Sequence, residues 1–148
     1  MSGPDAGTLT ALVLRVATQL IEGIHDGVTA RGFTDVRPAH GFAFARISAG
    51  GATTVEVAEH LGVTKQAASQ LVEQLVQRGY VRREPDPADG RARRLQLTER
   101  GWACTRAAEQ ATADLITAWR ERAGAQTLAH LHHGLLAVAE PGPLRPAW

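Results

Sequence analysis

The residues of this 148-residue chain that could do chemistry fall into two groups. Lys65, Gln66, Ser69 and Gln70 follow Thr64 at the three- and four-residue steps that place side chains along one face of a helix. An amide side chain matches the donor and acceptor on adenine's edge, and lysine matches guanine. This polar, nearly neutral stripe therefore has the composition of a surface that meets bases in a major groove, with Thr64 capping the helix or touching phosphate. Arg91, Arg93 and Arg94 form the second group. Their planar forks suit phosphate oxygens or a narrow, electronegative minor groove. Taken alone, the stripe reads equally well as a solvated helix face and the arginines as ordinary surface charge; their succession along the chain favours a shared role. Asp86 and Asp89 would repel a polyanion, so at least one is expected to orient a nearby arginine.

Other reactive side chains point to less. Cys104 is a single cysteine and cannot form an internal disulfide; a buried, inert thiol is the favoured reading. His130, His132 and His133 invite a metal reading, but helix neighbours one and two apart do not face a common point, and solvated or interfacial histidines are expected. No phosphate loop, dinucleotide fingerprint, zinc-protease motif or serine elbow occurs, so neither an enzyme nor a cofactor is expected.

Composition and charge set the frame. The length fits one domain, and a 44% hydrophobic share with only 5% aromatics suits close-packed helices. From Lys65 to Arg100 eight basic residues face five acidic ones, while the remainder is slightly acidic. No signal-like segment opens the chain, and no uninterrupted apolar run approaches the roughly 20 residues that span a bilayer, so a cytoplasmic protein without membrane association is expected.

The elements that must position these groups can be read in order. Met1 to Gly7 reads as a polar tail, and Leu9, Leu12, Val13, Val16, Leu20, Ile24 and Val28 mark an apolar stripe on a helix from Thr8 to Arg31-Gly32. A second helix opens near Pro38 and carries Phe42, Phe44 and Ile47 to a break at Gly50-Gly51. Thr53 and Glu56 form a capping box for a short helix that Gly62 closes. Thr64 caps the next, Lys65 to Arg78, with Ala68, Leu71, Val72, Leu75 and Val76 turned inward. Beyond Gly79 the period becomes alternating: strands Tyr80–Glu84 and Arg91–Thr98 flank a Pro- and Asp-Gly-containing turn. Thr98 caps a long helix with Trp102, Ala113, Ile116 and Trp119 among its apolar positions, and Gly124 separates a last helix bearing Leu128, Leu131, Leu135 and Leu136. Pro141 to Trp148 reads as a loose tail. Two helices joined across Leu61-Gly62-Val63-Thr64 and followed by a basic hairpin make a winged helix-turn-helix.

From Thr53 to Gly101 the chain resembles the MarR family of bacterial regulators, most specifically in Asp86-Pro87-x-Asp89-x-Arg91 and Leu97-Thr98-x-x-Gly101. The resemblance implies a mainly α fold with a small β-hairpin wing: a winged helix-turn-helix lobe at 34–100 and a helical dimerisation lobe from 8–32 and 101–140, within a single domain of 1–148. It implies Arg91 as the wing arginine. Where the family often carries arginine before it, this chain has Gly90, which predicts a more flexible tip. The implied activity is sequence-specific binding of double-stranded operator DNA by a homodimer, usually as a repressor relieved by a small aromatic or lipophilic effector. Apolar terminal helices that need cover support the homodimer, and its symmetry predicts a near-palindromic operator. Phe42, Phe44, His40 and Trp102 are candidate lining for an effector pocket, although core packing explains the aromatics equally well. Some relatives sense oxidants through a cysteine, which keeps a redox role for Cys104 as the lesser alternative. The rival function is a winged helix that docks a protein and never reads DNA.

Overall fold

Three threonines fix the helix starts around the candidate site. The side-chain oxygens of Thr53, Thr64 and Thr98 accept from the amides of Glu56, Ala67 and Gly101 at 3.2, 3.1 and 3.2 Å, satisfying donors that a first helical turn leaves without partners. Glu56 returns the bond to the Thr53 amide at 3.0 Å, completing the reciprocal cap. The computed structural model describes residues 3–145. These run α1 (Ala6–Ala30), α2 (Pro38–Ser48), α3 (Thr54–Leu61), α4 (Lys65–Gln77), β1 (Val81–Pro85), β2 (Arg93–Leu97), α5 (Glu99–Ala123) and α6 (Ala125–Val138). Residues 146–148 of the expected loose tail lie outside the described residues, as do Met1 and Ser2.

Boundaries shift where side chains intervene. The Asp5 carboxylate accepts from the Thr8 amide at 2.9 Å, so α1 begins at Ala6, inside the segment expected as a tail. The strands pair from Val81↔Leu97 to Pro85↔Arg93; the first is displaced one residue along the chain and the second is shorter than expected. Tyr80 is drawn into a corner, its amide donating to Leu75 and its carbonyl accepting from Thr98, while Arg91 and Ala92 belong to the turn.

The main core gathers Ile47, Val57, Val72, Leu75, Tyr80 and Leu95, none more than 1% exposed. Burying an aliphatic side chain of this size contributes about 2 kcal/mol, which makes this cluster the chief support for α2, α3, α4 and the hairpin. Ala52 exchanges two backbone bonds with Leu95, at 3.1 and 2.7 Å, and so ties the loop before α3 to β2.

α5 packs in a register that its apolar residues did not announce. Gly101, Cys104, Ala107 and Ala111 face inward, whereas Trp102 is 42% exposed and Ala113 is also exposed. The cause lies at the helix start. A Cβ at Gly101 would stand 2.3 Å from the Tyr80 carbonyl oxygen, so only glycine permits this approach. With Gly101 turned inward, its neighbour Trp102 must turn out. α1 meets α5 by the same device: Cβ atoms built at Gly23 and Gly27 would lie 2.9 Å from Leu115 and 2.5 Å from Ala111. The Arg31–Asp114 ion pair, at 2.7 Å, lies at the same contact.

By length and composition α1 is apolar enough to cross a membrane, although polar residues interrupt its apolar run. Its C-terminal half is used here for packing on α5.

Gly101→Ala is expected to cost about 2 kcal/mol through overpacking against backbone. Urea unfolding followed by circular dichroism should show the lower midpoint; an unshifted midpoint would mean that Tyr80 and α5 are not in contact.

Candidate nucleic-acid interface

α4 divides its polar residues between two tasks. Lys65, Gln66, Ser69, Gln70, Glu73 and Gln77 are exposed, as is the capping Thr64, while Ala68, Val72 and Leu75 are fully buried. Gly62, at φ 69°, takes the left-handed conformation that lets α3 end and the chain turn into α4. At the helix's far end Glu73 pairs with Arg83 of β1 at 2.8 Å and also accepts from Gln77 at 3.4 Å. This pair couples the α4 face to the hairpin and offsets the one acidic charge on the stripe.

The wing arginines differ in what holds them. Arg94 donates from Nε and Nη2 to the Gly50 carbonyl at 3.3 and 3.2 Å, and from Nη2 to Gly51 at 3.2 Å. It fastens β2 to the loop before α3. Arg91 and Arg93 are exposed, and among the described residues neither pairs with a carboxylate. Asp86 and Asp89 do not hold a guanidinium. Their carboxylates accept from the backbone amides of Ala88 at 2.9 Å and Arg91 at 3.0 Å, so the two acids shape the turn that presents Arg91. Gly90 has no positive φ.

Behind the stripe lies a bond that sequence spacing did not signal. His40 is fully buried; its Nδ1 accepts from the Arg37 amide at 2.9 Å and its Nε2 lies 3.2 Å from Gln74 Oε1. Both bonds require the neutral tautomer with its proton on Nε2. Burial is the main cause that holds the His40 pKa below its ordinary 6.5, reinforced by Arg37 and Arg78 and opposed by the Gln74 bond and Asp35. The imidazole thus links the start of α2 to the inner side of α4.

A cavity of about 420 Å³ lies between α1, α2 and α5. Its apolar lining includes Ile24, Val28, Phe42, Phe44 and Ala108, with Arg37, His25 and Glu109 as charged or polar members. Of the expected lining residues, Phe42 and Phe44 are present; His40 is consumed in the core and Trp102 points to solvent. Cys104 also borders the cavity, 3% exposed, and burial pushes its thiol up to about 11, so the reactive thiolate is disfavoured. His130, His132 and His133 are exposed, and no cluster of three potential metal ligands occurs among the described residues.

This arrangement defines a winged helix-turn-helix protein. Residues 32–92 match the model of the MarR family. The chain also has the fold of MarR regulators. Apo MarR from E. coli shares 24% identity at a TM-score of 0.73, over 94% of this chain and all of that one. RV1404 from Mycobacterium tuberculosis shares 20% at 0.80, over 93% and 94%. A mutant of E. coli MarR complexed with operator DNA shares 25% at 0.70, over 90% and 94%. No curated protein sequence matches the chain significantly.

Two outcomes follow from the bonds. Arg94→Ala is expected to lower stability by about 1 kcal/mol, and Arg91→Ala to leave it unchanged, in parallel denaturation curves. The depressed His40 pKa means that the unfolded chain takes up a proton below pH 6.5 before the folded one does. Stability should therefore be full above pH 6.5 and decline as pH falls toward the lower folded value. In melting curves taken across that range His40→Asn should lose part of the decline, and His60, whose pKa burial also lowers, contributes to what remains.

Proposed function

We propose that the chain is a MarR-type regulator that binds double-stranded operator DNA as a homodimer and acts as a repressor released by a small apolar effector. One observation carries this reading: an exposed polar stripe beginning at Lys65 is joined through Glu73–Arg83 to a hairpin whose Arg91 and Arg93 have no carboxylate partner among the described residues. In such a complex Lys65, Gln66, Ser69 and Gln70 meet base edges, Thr64 and the wing arginines meet the backbone or minor groove, and Arg94 holds the wing in place. The operator complex of the E. coli MarR mutant, which has the same fold, supports it.

Exposed apolar side chains support the homodimer. Leu9, Leu12, Val13 and Val16 on α1 and Leu131, Leu135, Leu136 and Val138 on α6 are each at least 37% exposed. A second copy would cover them, dividing the chain into a winged lobe at 34–100 and a dimerisation lobe from 8–32 and 101–140. The cavity touches α2, which also anchors α4 through His40, so a ligand there would favour one spacing of the two reading helices over another.

The test is fluorescence anisotropy with duplexes selected from the DNA upstream of the chain's own gene. Binding should weaken steeply with salt, and Arg91→Ala should reduce the log–log salt slope by about one, the signature of a lost phosphate contact. Gln70→Ala should instead flatten discrimination between bases. Leu12→Glu with Leu135→Glu should give monomers in sedimentation and abolish tight binding. A protein-docking winged helix would show no specific duplex binding at any salt concentration.

A further inference from the structure

After α6 the chain turns back on its own body. Leu144 stands among the residues lining the cavity, yet 71% of its surface is open to solvent. The adjacent Arg145 donates from Nε to the His60 carbonyl at 2.8 Å and from Nη2 to the Glu59 carbonyl at 2.6 Å. Both carbonyls belong to the last turn of α3, the negatively polarised end that a cation stabilises. Just beyond that turn is Gly62, where a Cβ would lie 3.2 Å from the Arg145 guanidinium. One residue thus fastens the segment to the helix-turn-helix while its neighbour overhangs the cavity with little apolar surface to cover it.

We propose that residues 139–145 form a lid for the cavity, with Leu144 as the closing contact and Arg145 as the positioning residue that ties the lid to the turn between α3 and α4. The inference rests on reading the cavity as an effector site and adds how a ligand there is retained and sensed. An aromatic or lipophilic body seated among Ile24, Val28, Phe42, Phe44 and Ala108 would supply the surface that Leu144 lacks. Pro141 and Pro143 fix two φ angles around Gly142, so the strap loses little chain entropy when it settles. Closure then stiffens the hold of Arg145 on the end of α3, and ligand occupancy reaches the helix-turn-helix by a route separate from α2.

The experiment is a fluorescence titration of the full chain with 8-anilinonaphthalene-1-sulfonate, an apolar aromatic anion. Saturable binding is expected for the wild type. Leu144→Ala and Arg145→Ala should each weaken it about fivefold, Leu144→Ala without moving the melting temperature and Arg145→Ala with only the small drop expected from its two lost carbonyl bonds. Arg145→Lys should restore part of the loss, because an ammonium reaches a carbonyl but lacks the two-pronged fork. Gly41 borders the cavity and has open space beside its Cβ position, so Gly41→Phe should fill the cavity and abolish binding. Dye binding that survives Gly41→Phe would overturn the effector-site reading. Binding lost in Gly41→Phe but unchanged in the Leu144 and Arg145 variants would overturn the lid and leave the site standing. A wild type without saturable binding would remove both.

Discussion

The corner at Tyr80 is the constraint on which the arrangement of α4, the hairpin and α5 depends. Its ring is fully buried, with centroids 5.6 Å from Phe44 and 6.3 Å from Phe33, and Arg100 lies over it at 4.3 Å. Its hydroxyl donates to Asp35 at 2.5 Å, and burial together with that bond raises its pKa to about 12, so it remains a donor. Its backbone receives Thr98 and approaches Gly101 too closely for any side chain there. One residue therefore sets the end of α4, the start of β1 and the roll of α5. A hydrogen-bonded, desolvated hub of this kind tolerates few geometries, since a partner lost in the interior leaves a polar group unpaired.

That rigidity gives the polar residues of α4 and the wing their separate duties. Gln74 faces inward to His40, while Gln66 and Gln70, of similar chemistry, remain exposed. Arg94 is committed to the Gly50 and Gly51 carbonyls, which holds the hairpin in place, and among the described residues Arg91 and Arg93 have no carboxylate partner. The acidic residues of the wing contribute to the same end by bonding backbone amides instead of neutralising the arginines.

The other half of the molecule solves a different problem. Glycines at 23 and 27 bring α1 against α5, but the N-terminal half of α1 and the outer face of α6 leave leucines and valines exposed among the described residues. Apolar area on that scale favours association, and the cavity lies between α1, α2 and α5.

What the residues determined by themselves was local. The caps at Thr53, Thr64 and Thr98, the breaks at Gly62 and Gly124, the hairpin and the outward stripe of α4 all follow from hydrogen bonds or periodicities spanning a few positions, and these were legible. The MarR-like pattern was legible for the same reason, because Leu97-Thr98-x-x-Gly101 encodes a cap and a close approach within one helical turn. Tertiary structure alone decided which of two similar side chains would serve the core. Gln74 was claimed by His40, 34 positions away; Arg94 by Gly50, 44 away; and Trp102, apolar and expected inside, was turned out by the fit of Gly101 on Tyr80. Those partners are brought together only when distant segments collapse onto a common core, and neither type nor spacing along the chain carries that information.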